Sequence, residues 1–114
     1  MTASPEQLVL MLYDGAIRFL RQGAGAYRGG EIVRGHDRVR RAEAIISELN
    51  AALDMSHGEL PERLRSIYLY CKRQLNEARL HADAAPLEVV QRLLGELRDA
   101  WHQVATAAPL AQSA

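Results

Sequence analysis

The chain has 114 residues, 48% of them apolar and 25% charged, with formal charges that cancel at 14 against 14. That describes one domain long enough to bury a core unaided, too apolar for a disordered segment, and without the basic surplus that marks a dedicated nucleic-acid binder. The lone Cys71 excludes an intramolecular disulfide framework and a cysteine-based zinc site, which fits a reducing, cytoplasmic setting, and neither a secretory leader nor a membrane-spanning apolar run of ~20 residues is present.

Helix 1 starts with Ser4 as N-cap, Pro5 at the first helical position, Glu6 in the first turn and Gln7 placed to close a capping box. It is expected to run to the Gly23–Gly25 region or to Tyr27, before Arg28–Gly30 breaks the pattern. At 100° per residue, Val9, Leu12, Ala16, Phe19 and Gly23 form one stripe, and Leu10, Tyr13, Ile17, Leu20 and Ala24 form a second beside it. Together they cover roughly half the circumference, more than the ~100° that one core face needs. Either helix 1 is central and touches two neighbours, or part of the second stripe contributes to a groove that another chain covers. Gly15 lies at the margin of the first stripe, where close helix approach would offset its poor helix propensity. Asp14 beside it is read as a solvated charge, with a buried carboxylate bonding to a backbone group or to a partner as the alternative.

Helix 2 is expected over roughly Glu31–Leu53, with Val39, Ala42, Ile46, Leu49 and Leu53 at alternating spacings of three and four. Asp54–Pro61 reads as a turn. Helix 3 follows from about Leu60 to His81, with Leu64, Ile67, Cys71, Leu75 and Ala78 on one stripe. Ala82–Pro86 ends it, because the residue before a proline is biased away from helix. Helix 4 then carries Leu87, Val90, Leu94, Leu97, Trp101 and Val104. Four amphipathic helices with short connections predict an all-α, antiparallel up-down-up-down four-helix bundle over residues 1–104, with 105–114 as a flexible C-terminal tail.

No catalytic or cofactor signature accompanies the bundle. The four histidines lack metal spacing, since Asp99-x-x-His102 is the nearest approach to a carboxylate-bundle pair and Leu97 and Trp101 already claim its inner face. Cys71 on the core stripe of helix 3 reads as a small buried hydrophobe. The basic run Arg34–Arg41 reads as a solvated helix face. Neither an enzyme, a cofactor, a nucleic-acid site nor membrane insertion is expected.

The run from Thr2 to Leu20, "TASPEQLVLMLYDGAIRFL", resembles the opening motif of the FliS family of flagellar export chaperones. The likeness continues in order through "AEAIISELNAALD" (42–54), "YLYCKRQLNEA" (68–78) and "LLGELRDAWHQV" (93–104). The resemblance implies a cytosolic bundle that binds the disordered C-terminal segment of flagellin in apolar grooves, blocks premature polymerisation and delivers it to the flagellar type III export apparatus. It further implies contacts with the export gate, an anti-sigma factor or a flagellar assembly factor. The expected client-binding residues are Leu10, Tyr13, Ile17 and Leu20 on helix 1, Ile45 and Ala52 on helix 2, and Leu69 and Tyr70 on helix 3. Family members generally carry a dozen or so residues ahead of the Thr-Ala-Ser-Pro motif that fold over the groove. Here Met1 precedes Thr2 directly, so the groove is expected to be open or covered by a second copy. The competing expectation is a structural bundle that only self-associates.

Overall fold

The structure is a computed structural model that describes residues 3–56 and 58–113, with side chains described as far as Gln103. It contains four helices, α1 (Pro5–Arg28), α2 (Ile32–Ala51), α3 (Leu60–His81) and α4 (Ala84–Ser113). Helix α1 packs against α2 and α4, and α3 packs against the same two, so α1 and α3 sit on one diagonal of an up-down-up-down bundle. His57, the side chain of Val104 and those of the expected flexible run 105–114 lie outside the described residues.

The start of α1 follows its sequence signal. The Ser4 hydroxyl accepts from the Gln7 N–H at 3.2 Å, and the Gln7 side chain accepts from the Ser4 N–H at 2.8 Å. Two of the orphan donors at the helix start are thereby satisfied. At the other end of α1, Gly30 takes φ +77°, and α2 begins after the single residue Glu31.

Helix α4 begins at Ala84, earlier than the proline led one to expect. Asp83 Oδ1 accepts from the Ala85 N–H at 3.0 Å, and Pro86 falls in the first turn, where no intrahelical N–H partner is required. The turn is correspondingly tight. Ala82 adopts a left-handed φ of 48°, and the Asp83 N–H reaches back to the Ala78 carbonyl at 3.0 Å.

The core explains the breadth of the apolar face on α1. Tyr13, Ala16, Leu20, Gly23, Ala24 and Tyr27 are all buried, and Val9, Leu12, Ile17 and Phe19 pack partly buried on either side. Small residues let α1 approach α2 and α4 closely. A Cβ at Gly15 would stand 3.3 Å from Ile45 Cδ1 of α2, and one at Gly23 would stand 3.3 Å from Leu87 Cδ1 of α4. The two stripes of α1 therefore serve two neighbouring helices. Helix α3 brings bulkier residues, including Leu64, Ile67 and Tyr68, and packs less closely.

Polar contacts fix the α1–α4 side. Asp14 is exposed and accepts from Arg98 Nε at 2.9 Å, and Arg28 pairs with Glu88. The Asp14 bond is the main reason the Arg98 guanidinium holds its proton above its ordinary range. On α2, Asp37 gathers Arg38, Arg40 and Arg41 at 2.8, 2.9 and 3.0 Å, and the hydrogen bond from Arg41 does most to hold its carboxyl below the usual range. The basic run thus neutralises part of its own charge.

Candidate functional site: an apolar cavity at one end of the bundle

Antiparallel order places the start of α1, the end of α2, the start of α3 and the second half of α4 at one end of the bundle. Here the seam residues do not close the core. They line a cavity of about 300 Å³, open on one side, formed by Val9, Leu12 and Tyr13, by Leu49, Ala52 and Leu53, by Leu60, Leu64 and Tyr68, and by Leu97, Ala100 and Trp101. The space lies between α1 and α3, whose backbones make no close approach, with Leu64 and Tyr68 on the α3 side.

Among the described residues of the lining, three carry a side-chain polar group. Tyr13 Oη and Tyr68 Oη lie 2.6 Å apart and join α1 to α3 across the diagonal. The indole N–H of Trp101 donates to the Glu6 carbonyl at 3.2 Å, which pins the wall contributed by α4 to the first turn of α1. Burial raises the ionisation of both tyrosines above the ordinary phenol range, and their mutual bond raises Tyr68 further. The neighbouring Cys71 thiol has no exposed surface and is pushed by burial up to about 11. All three are neutral at physiological pH, so the cavity presents no charge, no nucleophile and no general base.

The expected client-binding residues separate into five places. Tyr13 and Ala52 line the cavity. Leu69 and Tyr70 stand on the outer face of α3, 44% and 38% exposed. Ile45 is half-buried against Gly15 in the α1–α2 crossing. Leu10 and Ile17 are half-buried on the side of α1 that also carries Asp14, the side toward α4. Leu20 is the exception, because it has no exposed surface and packs in the centre of the core. Its place on the second stripe is the part of α1 that both neighbours cover.

Most of the cavity lining, Leu53, Leu64, Leu97 and Trp101 among it, reads in the sequence only as bundle seam. The available signal was position. Among the described side chains, these residues form the last large apolar layer before the Asp54–Glu59 connection and the start of α1. Other exposed apolar side chains, Leu8 and Met11 near the start of α1 and Met55 in the connection between α2 and α3, lie toward the same end of the bundle. Among the described residues no three His, Cys, Asp or Glu side chains could hold a metal ion, and no helix is long and apolar enough to cross a membrane.

Comparison with known proteins identifies the family. The model of the flagellar protein FliS matches residues 1–108. The chain is 35% identical over 102 residues to the flagellar secretion chaperone FliS of Bacillus subtilis, covering 90% of this chain and 76% of that one. It is 36% identical over 115 residues to the flagellar secretion chaperone FliS of Salmonella typhimurium, covering 99% and 85%. Among solved structures, a bacterial flagellar chaperone superposes with a TM-score of 0.83 at 18% identity, covering 93% of this chain and 87% of that one, which speaks to the fold. The chain therefore belongs to the FliS family of flagellar secretion chaperones, whose members are chaperones and not enzymes.

Proposed function

We propose that this chain is a cytosolic export chaperone for flagellin, holding its disordered C-terminal segment, preventing premature polymerisation and handing the subunit to the flagellar type III apparatus. Family membership, together with relatives named flagellar secretion chaperones, is the observation that carries the reading. The apolar surface supports it. Leu69 and Tyr70 on the outer face of α3 and Ala52 and Leu60 at the cavity rim offer contact area without unfolding the bundle. Leu10, Ile17 and Ile45 are half-buried and add smaller apolar patches at the two sides of α1. Leu20 has no surface to offer and drops out of the contact set.

The mechanism is coupled folding and binding. A disordered segment loses conformational entropy on docking, and burial of apolar area at ~25 cal/mol per Å² must exceed that loss. Wrapping suits this balance, because an extended client reaches several separated apolar sites on one chaperone. The export gate, an anti-sigma factor or an assembly factor would then meet the loaded complex. The test is a polymerisation assay. Flagellin held at a polymerising concentration should give flat light scattering when this chain is added at equimolar amounts, and unchanged filament growth would overturn the reading. Concentration-dependent self-association with no effect on flagellin would favour a structural bundle instead.

A further inference from the structure

The structure assigns the end cavity as a binding site for a small neutral aromatic molecule that carries one hydrogen-bond acceptor. Size sets the first limit. At about 300 Å³ the space is roughly twice that of an apolar protein cavity known to take benzene, and it sits at the lower edge of ordinary ligand pockets. One aromatic ring with a short substituent fits these dimensions.

Charge and chemistry set the second limit. No lining residue is ionised at neutral pH, so a charged ligand would lose its hydration without compensation. Flat rings are favoured by the aromatic walls of Tyr13, Tyr68 and Trp101. Of the three polar side-chain groups in the lining, the Trp101 N–H is committed to the Glu6 carbonyl. The two hydroxyls carry two donor hydrogens, and their mutual bond uses one. The hydroxyl that accepts this bond is polarised by it and becomes the stronger donor for a third group. A buried hydroxyl donor is costly to leave unmatched, whereas an oxygen already making one bond is not. The complementary ligand therefore presents an acceptor, such as a carbonyl oxygen, and not a donor.

The test compares two probes of nearly identical shape, acetophenone and α-methylstyrene, in which a C=O is replaced by C=CH2. Each is titrated into the full chain while the leucine methyl resonances are followed by NMR. The expected result is saturable shifts at Leu12, Leu53, Leu64 and Leu97, with acetophenone binding roughly 2- to 10-fold more tightly, the range of one net hydrogen bond. In the Tyr13→Phe/Tyr68→Phe double variant the preference should reverse, because the carbonyl loses its hydration with no donor to replace it. Equal affinity of the two probes for the native chain would overturn the assignment. So would shifts confined to exposed Leu69 and Leu80, or none at the cavity leucines with millimolar probe. The native comparison decides the matter if the double variant does not fold, and neither arm requires flagellin.

Discussion

The hydroxyls of Tyr13 and Tyr68 meet at 2.6 Å across the bundle diagonal, joining the two helices that otherwise make no close backbone approach. Both rings are buried, at 3% and 2% exposure, so each hydroxyl depends on the other. Replacing only one, by Tyr13→Phe or Tyr68→Phe, strands the remaining hydroxyl and should cost ~1–3 kcal/mol. The double replacement removes both partners and should return to within about 1 kcal/mol of the native chain. Urea unfolding of the four proteins checks this, and additive single-variant losses would contradict it.

Ionisation of the same pair limits stability in base. Burial raises Tyr13 and Tyr68 above their ordinary value of 10.0, and Cys71 from 9.0 up to about 11. A raised folded-state value means the folded chain keeps its proton longer than the unfolded chain. The associated stability is complete below the unfolded-state value and is lost as pH rises through the folded one. The urea midpoint should therefore be level to about pH 9 and fall above it, more gently in the double phenylalanine variant. A midpoint that holds constant to pH 11 in the native chain would contradict this.

The glycines divide by their surroundings. Gly25 in α1 has open space where a Cβ would stand, so Gly25→Ala should stabilise by ~0.5–1 kcal/mol through helix propensity. At Gly35 a Cβ would lie 2.3 Å from the Tyr27 ring, which is held by a 2.7 Å bond to His36 Nδ1. Gly35→Ala should therefore destabilise, by ~1–3 kcal/mol, despite the same gain in propensity. The left-handed Ala82 reverses the sense of the change, and Ala82→Gly should stabilise by ~1 kcal/mol. Thermal melts rank all three.

Core and client positions respond differently to substitution. Leu20→Ala should cost ~2–5 kcal/mol, as a fully buried leucine does. Leu69→Asp lies on the exposed face of α3 and should change stability by no more than ~0.5 kcal/mol while weakening client binding. Unfolding curves and client titration together separate the two outcomes.

The starts of α1 and α3, the seams and the bundle topology were legible in the sequence because each rests on local chemistry. Ser4 and Gln7 sit at capping-box spacing, and Val39 to Leu49 repeat at three and four. The start of α4 is not legible from the bias of the residue before Pro86, because the Asp83 side chain caps the helix and lets it begin before the proline. The candidate site was legible only in part. Leu10, Tyr13, Ile17 and Leu20 share one stripe, but how deeply each is covered depends on the approach of α2 and α4, which no single-helix pattern encodes. Tyr13 and Tyr68 are separated by 55 residues, and only the folded register brings their hydroxyls together.

The chaperone reading is tested most directly by titrating the chain with a peptide from the C-terminus of flagellin, followed by calorimetry at several temperatures and by circular dichroism. The predicted result is saturable binding with a gain in helix and a negative heat-capacity change, weakened by Leu69→Asp. No binding with peptide on the order of tens of micromolar, or binding that leaves helix content and heat capacity unchanged, would contradict it.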